Sequence, residues 1–480
     1  MATQRIVFDN FVGGLAPSRY QGNYNGQFDP YDTTSAGWDP YFADEEGLLR
    51  RGLGTATLTN APDVTGSVTW MKAINRSYGS YVFGIEEQVS GAGTNNRLIR
   101  INAATHTISN TSPWPFTLPT DGGQCGLEFF NGYLYYASKR YLGRFNLSLT
   151  FDSSYYTFLG TQAIGRAIDH PMVQGNGKLF IGNSNYSLNT ASIAVDDGVS
   201  VTPNALDLSK TEQFVRSLEF HRNTLFIAAS SNAGSGSPTT SPCTMYVWDG
   251  ISNSYQDKFE FPDEDFHAVK VFGNTIYGFG QRGVFQFNGN GFDLVQQYSG
   301  GPDPWGVSTN PRGFVTWKDE NTQVFSYGSP HKDLPTIPWK PIKFSEVPSG
   351  GVFWVNRHNI YVGGFAAGDK IRRFGGSTGY QSAIWRCPML KFDQPMRLVK
   401  FEVQMLPLES GTNLSFLWAK DDGATPITLA TLGTAGTTEW KFTPDGIVDS
   451  SWQIGIADTA ESAPTPKIRR IVLDIEPEKS

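Results

Sequence analysis

Cysteine, charge and helical periodicity are all scarce in this sequence, and each shortage excludes a class of protein. The three cysteines, Cys125, Cys243 and Cys387, lie far apart, and an odd number rules out a complete disulfide framework. Folding in a reducing cytoplasm is therefore expected. Charged residues are only 17% of the chain and the net charge is −7. The basic pairs Arg50-Arg51, Arg372-Arg373 and Arg469-Arg470 are isolated, which argues against direct contact with nucleic acid, where clustered cations must meet phosphates. No apolar run approaches the ~20 residues needed to span a bilayer, and Met1 to Asn10 lacks the apolar core of a signal peptide. The expectation is a protein neither secreted by the usual route nor inserted in a membrane. Nor does any stretch keep apolar residues at i, i+3, i+4 and i+7, because Gly or Pro interrupts almost every window.

What is abundant is glycine, at 52 residues, and aromatic side chains, at 14%. They are organised into a phrase that returns about every 38 to 53 residues. Its clearest copies are Phe129-Phe130-Asn131-Gly132-Tyr133-Leu134-Tyr135, Val173 to Phe180, Leu218 to Phe226 and Val269 to Tyr277. Looser copies run from Val307 to Trp317 and from Val352 to Val362, and a degenerate one from Met71 to Ile85. β-Branched and aromatic residues alternate with small or polar ones around Asn-Gly-like reversals, so each phrase reads as a hairpin. One hairpin cannot bury both faces, and repeats of this length stack as the blades of a β-propeller. Seven copies predict seven blades, with six or eight as alternatives.

Three segments follow from the pattern: an extended N-terminal arm over 1–50, a propeller over 51–380 and an antiparallel β-sandwich, jelly-roll-like, over 381–480. The last blade offers three strands, and Thr55 to Thr59 is the spare strand that would complete it and close the ring. Seven alternating runs between Ala383 and Ile475, separated by Gly, Pro, Asp or Ser, give the sandwich. The arm is too aromatic for a solvated tail. Its Tyr20, Tyr24, Phe28, Tyr31, Trp38, Tyr41 and Phe42 are candidate assembly contacts, against its own propeller or a neighbouring subunit.

Chemistry-bearing motifs are few. The Ser-x-Asp-x-Gly-x-x-Trp box of sialidase propellers is absent, and Gly234-Ser235-Gly236 lies in a Ser/Gly/Pro/Thr-rich loop without the strand-to-helix elbow a serine nucleophile needs. The acidic runs Asp44-Glu45-Glu46, Asp263-Glu264-Asp265 and Asp421-Asp422 read as solvated loops, since neighbours on a strand face opposite ways. The six histidines show no metal-ligand spacing. His221 reads as a surface turn residue, while His170 and His267 precede repeated strands and would face a central channel. No catalytic residue, metal or cofactor is expected. Trp418, Trp440 and Trp452 sit in or beside sandwich strands and would serve either as core or as a stacking platform for a glycan.

The opening Ile6-Val7-Phe8-Asp9-Asn10-Phe11-Val12-Gly13-Gly14-Leu15-Ala16 and the segment Phe401 to Thr412, Phe-Glu-Val-Gln-Met-Leu-Pro-Leu-Glu-Ser-Gly-Thr, joined by a repeat-bearing propeller, resemble structural proteins of tailed-bacteriophage virions. The resemblance covers nearly the whole chain in architecture and is specific only at those two ends. It implies a non-enzymatic structural or adaptor component of the phage tail, made in the host cytoplasm and located in the virion. Its implied partners are other tail proteins, with multiple copies in a symmetric assembly. A receptor- or glycan-binding protein at the tail tip, meeting a host surface glycan, is the first alternative; a polysaccharide-degrading propeller enzyme is the second.

Overall fold

The computed structural model describes residues 3–9, 55–57, 69–78, 81–90, 93–114, 116–121, 125–138, 141–146, 148–158, 170–185, 190–208, 214–230, 243–261, 266–280, 283–297, 307–310, 313–319, 324–328, 340–343, 352–356, 359–362, 372–374, 383–420, 426–458 and 465–478. These residues form β-strands and the turns between them. The chain divides into two compact units, one of Thr57–Gln323 with Glu346–Arg373 and one of the remaining segments.

Strand β1 is Gln4–Asp9 and β2 is Thr55–Thr57. Seven sheets then follow in chain order. The first holds β3 (Thr69–Tyr78), β4 (Tyr81–Ser90), β5 (Gly93–Asn102) and β6 (Thr107–Ile108), with β7 (Phe116–Asp121) also on β5. The second is β8 (Cys125–Phe130), β9 (Tyr133–Ser138), β10 (Tyr141–Phe145) and β11 (Phe151–Thr157). The third is β12 (Met172–Gly175), β13 (Lys178–Asn185), β14 (Thr190–Asp196) and β15 (Val201–Asp207). The fourth is β16 (Phe214–His221), β17 (Thr224–Ser230), β18 (Cys243–Trp248) and β19 (Asp257–Phe261). The fifth is β20 (Phe266–Phe272), β21 (Thr275–Gly280), β22 (Gly283–Phe287) and β23 (Phe292–Gln297). The sixth is β24 (Val307–Asn310), β25 (Gly313–Asp319), β26 (Val324–Gly328) and β27 (Lys340–Lys343). The seventh is β28 (Val352–Asn356), β29 (Asn359–Val362) and β30 (Arg372–Phe374), and its fourth strand is β2.

This is a seven-bladed β-propeller. Its first strands pack side by side in the order β3, β8, β12, β16, β20, β24, β28 and back to β3. The expected closure by the strand at Thr55 is present in the order β2-β30-β29-β28. In every blade the first two strands are joined across two residues, as the pairs Phe130↔Tyr133, Gly175↔Lys178, His221↔Thr224 and Phe272↔Thr275 show. Asn131 (φ 47) with Gly132 (φ 80), Asn176 (φ 48) with Gly177 (φ 71), and Arg222 (φ 48) with Asn223 (φ 64) are left-handed at both positions. That is the twist-matched reversal that favours Asn and Gly. The first blade departs from the plain four-strand plan: both β6 and β7 pair with β5.

Blade faces are buried against the next blade. One core joins Phe83, Ile85 and Leu98 of the first blade to Leu127, Tyr136 and Phe145 of the second. Another joins Phe180 and Ile193 of the third to Val215, Leu225 and Trp248 of the fourth. Each fully buried side chain of this size contributes ~1.5–3 kcal/mol, so stability resides between blades rather than within them.

The second unit contains β31 (Ala383–Arg386), β32 (Leu390–Met405), β33 (Leu414–Ala419), β34 (Ile427–Leu432), β35 (Glu439–Phe442), β36 (Val448–Asp458) and β37 (Ile468–Pro477). One sheet runs β1-β37-β32-β35 and the other β31-β36-β33-β34, continuous where the first part of β32 pairs with the start of β36. Ring contacts cross between them, Phe401 to Phe416 at 5.0 Å and Phe8 to Trp385 at 5.6 Å, as in a sandwich core. The N-terminal strand thus belongs to the sandwich: Ile6 and Phe8 are buried, and β1 pairs with β37 from Gln4↔Ile475 to Asp9↔Arg470.

Candidate assembly surfaces

In an antiparallel blade the connections between strands one and two and between strands three and four emerge at the same end. Among the described residues, that end of the ring carries two-residue reversals in the second to fifth blades and a turn after the third strand in each of the first five. An Asn or Asp side chain caps the turn after the third strand of each, accepting backbone N–H groups two and three residues on in four blades and four residues on in the second. Asn102 accepts from Ala104 and Thr105, Asn146 from Thr150, Asp197 from Val199 and Ser200, Asp249 from Ile251 and Ser252, and Asn288 from Asn290 and Gly291.

Each of these turns is seated on the preceding blade. The third residue of the second strand is aromatic and buried in six blades: Phe83, Tyr135, Phe180, Phe226, Tyr277 and Tyr361. Phe83 meets Phe145 at 5.4 Å, Phe180 meets Trp248 at 5.8 Å, Phe226 meets Phe287 at 5.3 Å, and Tyr361 meets His106. Every partner lies in or beside the next blade's Asx turn. Gly250 (φ +75) shows how close the approach is: a Cβ there would lie 2.7 Å from Phe180 Cζ, and the Gly250 carbonyl accepts from Lys178 Nζ at 3.2 Å. Gly198 (φ +90) likewise faces Asn131 of the second blade.

Rigid turns of this kind present two apolar residues to solvent. Val199 in Asp197-Gly198-Val199-Ser200 is 86% exposed and Ile251 in Asp249-Gly250-Ile251-Ser252 is 76% exposed. They occupy equivalent positions on consecutive blades. On the second blade, Arg144 lies 3.7 Å over the Tyr155 ring and 4.7 Å over Tyr133, and its Nη1 donates to Tyr135 Oη at 3.0 Å. Behind it Asp196 is buried, accepting from Gly198 N at 2.7 Å and from Tyr155 at 3.5 Å, while its Oδ2 has no partner. Burial raises the Asp196 carboxyl above its usual range and pushes Tyr135 up to about 12. Tyr and Arg are the residues enriched among interface anchors.

At the seam between the last blade and the first, His106 Nδ1 and Tyr361 Oη are 2.5 Å apart. Burial, then the nearby Arg373 charge, lowers the His106 pKa, and burial pushes Tyr361 up to about 12.

On the sandwich, the outer face of the β1-β37-β32-β35 sheet carries an ionic ladder. Arg5 Nε donates to Asp474 at 2.7 Å, Lys400 to Glu402 at 2.6 Å, and Lys441 to Glu439 at 2.8 Å, with Lys400–Asp474 at 4.0 Å and Lys441–Glu402 at 3.8 Å between them. Lys400 above all holds Glu402 down at about 2, and the Arg5 guanidinium keeps Asp474 below the usual carboxylate range.

The three tryptophans proposed as a glycan platform lie on the inner faces. Trp452 is fully buried and offers no ring face to a ligand. Trp440, half-buried and opposite the buried Val403, packs on Phe416 at 4.5 Å and Phe442 at 4.9 Å. Trp418 is half-buried opposite the buried Ile454. The arm aromatics Tyr20, Tyr24, Phe28, Tyr31, Trp38, Tyr41 and Phe42, the three acidic runs, His331 and His358 lie outside the described residues. His170 is not a channel residue: it is buried, stacked on Phe158 at 5.3 Å and bonded to the Gly182 carbonyl at 2.7 Å. His221 is half-buried rather than a free surface residue, with Nε2 enclosed and its pKa lowered by burial. Among the described residues no group of three or more His, Cys, Asp or Glu converges as metal ligands, and no helix is long and apolar enough to cross a membrane. Cys243 and Cys387 are buried thiols outside any disulfide.

No protein-family model matches the chain, and no match to a curated protein was found. Among solved structures, the extracellular domain of a hybrid two-component system from B. thetaiotaomicron is 10% identical with a TM-score of 0.44, over 81% of this chain and 47% of that one. The chain thus spans about half of that structure's length. The N-terminal domain of Nup159 is 13% identical with a TM-score of 0.38, over 68% of this chain and 95% of that one. An exo-beta-1,3-galactanase from Phanerochaete chrysosporium is 9% identical with a TM-score of 0.28, over 66% and 98%. Likeness of this degree does not bear on activity, since propellers host unrelated functions. The sheet hydrogen bonding itself makes this an all-β chain with a seven-bladed propeller and a sandwich.

Proposed function

We propose that this chain is a structural adaptor of a tailed-bacteriophage virion, located in the tail and joined to other tail proteins in multiple copies. The observation that carries the reading is the meeting of two distant segments. Ile6 to Asp9 and Phe401 to Met405, which belong to the two stretches resembling virion proteins, lie in one sheet with only β37 between them. The two stretches on which that resemblance rests thus contribute strands to one sheet.

The mechanism is geometric. Blades locked by Asx turns on buried aromatics make a stiff module, and a stiff module transmits position without chemistry of its own. Val199 and Ile251 on the turn end, with Tyr133, Arg144 and Tyr155, are the surface assigned to a neighbouring tail protein. A glycan-binding role would have to use rings other than Trp452, which is enclosed.

Electron microscopy of phage particles carrying a V199D/I251D variant tests the reading. Tails that lack the protein, or that fail to form, are expected, with the purified variant as stable as the parent. Normal tails containing the variant would remove this surface from the assembly, and absence of the parent protein from the particle would remove the reading itself.

A further inference from the structure

The sandwich is completed by a strand that reaches it from the far end of the chain. Ile6 is 3% and Phe8 1% exposed, and Phe8 sits edge-on against Trp385, itself fully buried. Without β1, the edge of β37 and the rings and branched side chains behind it, Trp385, Ile471 and Leu473, would face water. The site therefore demands a strand, and it reads a pattern. A cation at position 5 meets Asp474, apolar groups at 6 and 8 enter the core, and a slip of one residue would turn Ile6 and Phe8 outward.

Nothing in those contacts requires the strand to come from the same chain. The 45 residues 10–54 separate β1 from β2, a contour of up to ~150 Å. A strand from a second copy would make the same pairs with β37 and fill the same core positions, so the choice between the two depends on concentration rather than on contact energy. The edge thus has the logic of strand addition, in which main-chain bonds give affinity and alternate side chains give selectivity.

We propose that Gln4–Asp9 is an exchangeable strand, and that its partner in an assembly is the β37 edge of a second copy of this chain. Copies would then be linked head to tail, each giving its first strand and receiving another. The inference deepens the assembly reading but is tested on isolated chains, so either can fail alone.

The test uses two full-length versions co-expressed with different affinity tags, one carrying V7C and the other V472C. Val7 and Val472 are directly opposed, at the separation of a strand pair, which suits a disulfide. The double variant V7C/V472C reports closure within one chain. After mild oxidation, tandem purification through both tags followed by peptide mapping identifies the link between the two introduced cysteines and separates it from any formed by Cys125, Cys243 or Cys387. The expected result is a covalent heterodimer of the two single variants whose share rises with protein concentration, together with intramolecular closure of the double variant when dilute. Closure of the double variant with no heterodimer at any concentration would overturn the proposal. Failure of the double variant to close would overturn it too, because the strand would then not occupy the β37 edge.

Discussion

Replacing Gly250 with alanine tests the seating of one blade's turn on its neighbour. The new methyl would meet two obstacles. Gly250 has a φ of +75, where an L-residue pays ~1–2 kcal/mol in backbone strain. The Cβ would also stand 2.7 Å from Phe180 Cζ and 3.0 Å from Cε1, and that ring is fully buried with Trp248 at its edge. Forcing such a ring aside costs a further ~1–3 kcal/mol. Gly289 is the matched control: it follows Asn288 in the equivalent turn of the next blade, has a φ of +98, and has nothing within 4 Å of an added Cβ. Urea unfolding followed by tryptophan fluorescence should give a loss of about 1 kcal/mol for G289A and about 2–4 kcal/mol for G250A. G198A should fall between, since its obstacle is the end of the Asn131 side chain. Repeating G250A in an F180L background should shrink the gap, as expected when two changes share one contact. Equal losses for G250A and G289A, or a gap unchanged in F180L, would refute the idea that turn-on-ring contact holds the blades.

Other perturbations have defined outcomes. D474N removes the negative charge and one of the two oxygens that accept from Arg5, and should speed hydrogen exchange at the amides of Gln4 to Asp9 while leaving the propeller amides unchanged. Glu402 and Asp474 have depressed pKa values, so their contribution is complete above about pH 4.5 and fades on acidification towards about pH 2, with sandwich unfolding as the readout. The lowered His106 pKa has the same sign at higher pH. The unfolded state gains the proton first, so stability should fall as pH drops below about 6.5, and H106N should flatten that part of the profile although His221 contributes a similar slope. R144A strips three ring contacts and the hydrogen bond to Tyr135, for a loss of about 2 kcal/mol in chemical denaturation. W452A should cost about 3–5 kcal/mol as a cavity in the sandwich core, well above a surface ring's loss.

Much of the propeller was legible because its signals are local. A hairpin needs residues only two to eight apart, and Asn131-Gly132 or Asn176-Gly177 between apolar runs announces one. The blade count and the spare strand at Thr55 followed from counting such units. The Asx turns were missed although Asp-Gly-Val-Ser at 197–200 and Asp-Gly-Ile-Ser at 249–252 recur at the same offset after the third strand. Their purpose depends on the preceding blade's aromatic, a contact that no window along the chain contains. Alternation of Ile6 and Phe8 marked a strand, but a partner more than 460 residues away leaves no local trace. His170 failed as a channel residue for a related reason: the Phe158 ring and Gly182 carbonyl that enclose it come from neighbouring strands. Of the tryptophans, period two gave the face for none, because the sense of the face is set by the opposing sheet.

The closing strand of the ring has a bearing on how the polypeptide is made. Thr55–Thr57 leaves the ribosome roughly 300 residues before β28–β30, which at about 5–20 residues per second is a delay of roughly 15–60 s. Throughout that interval the nascent protein carries an unmated strand while six blades are added one after another. A three-residue Thr-Ala-Thr is a poor template for rogue pairing, so brevity protects the waiting piece as well as completing the circle. Premature termination anywhere before Phe374 would leave the circle open, giving cellular proteases a ready means of telling a full-length product from a fragment.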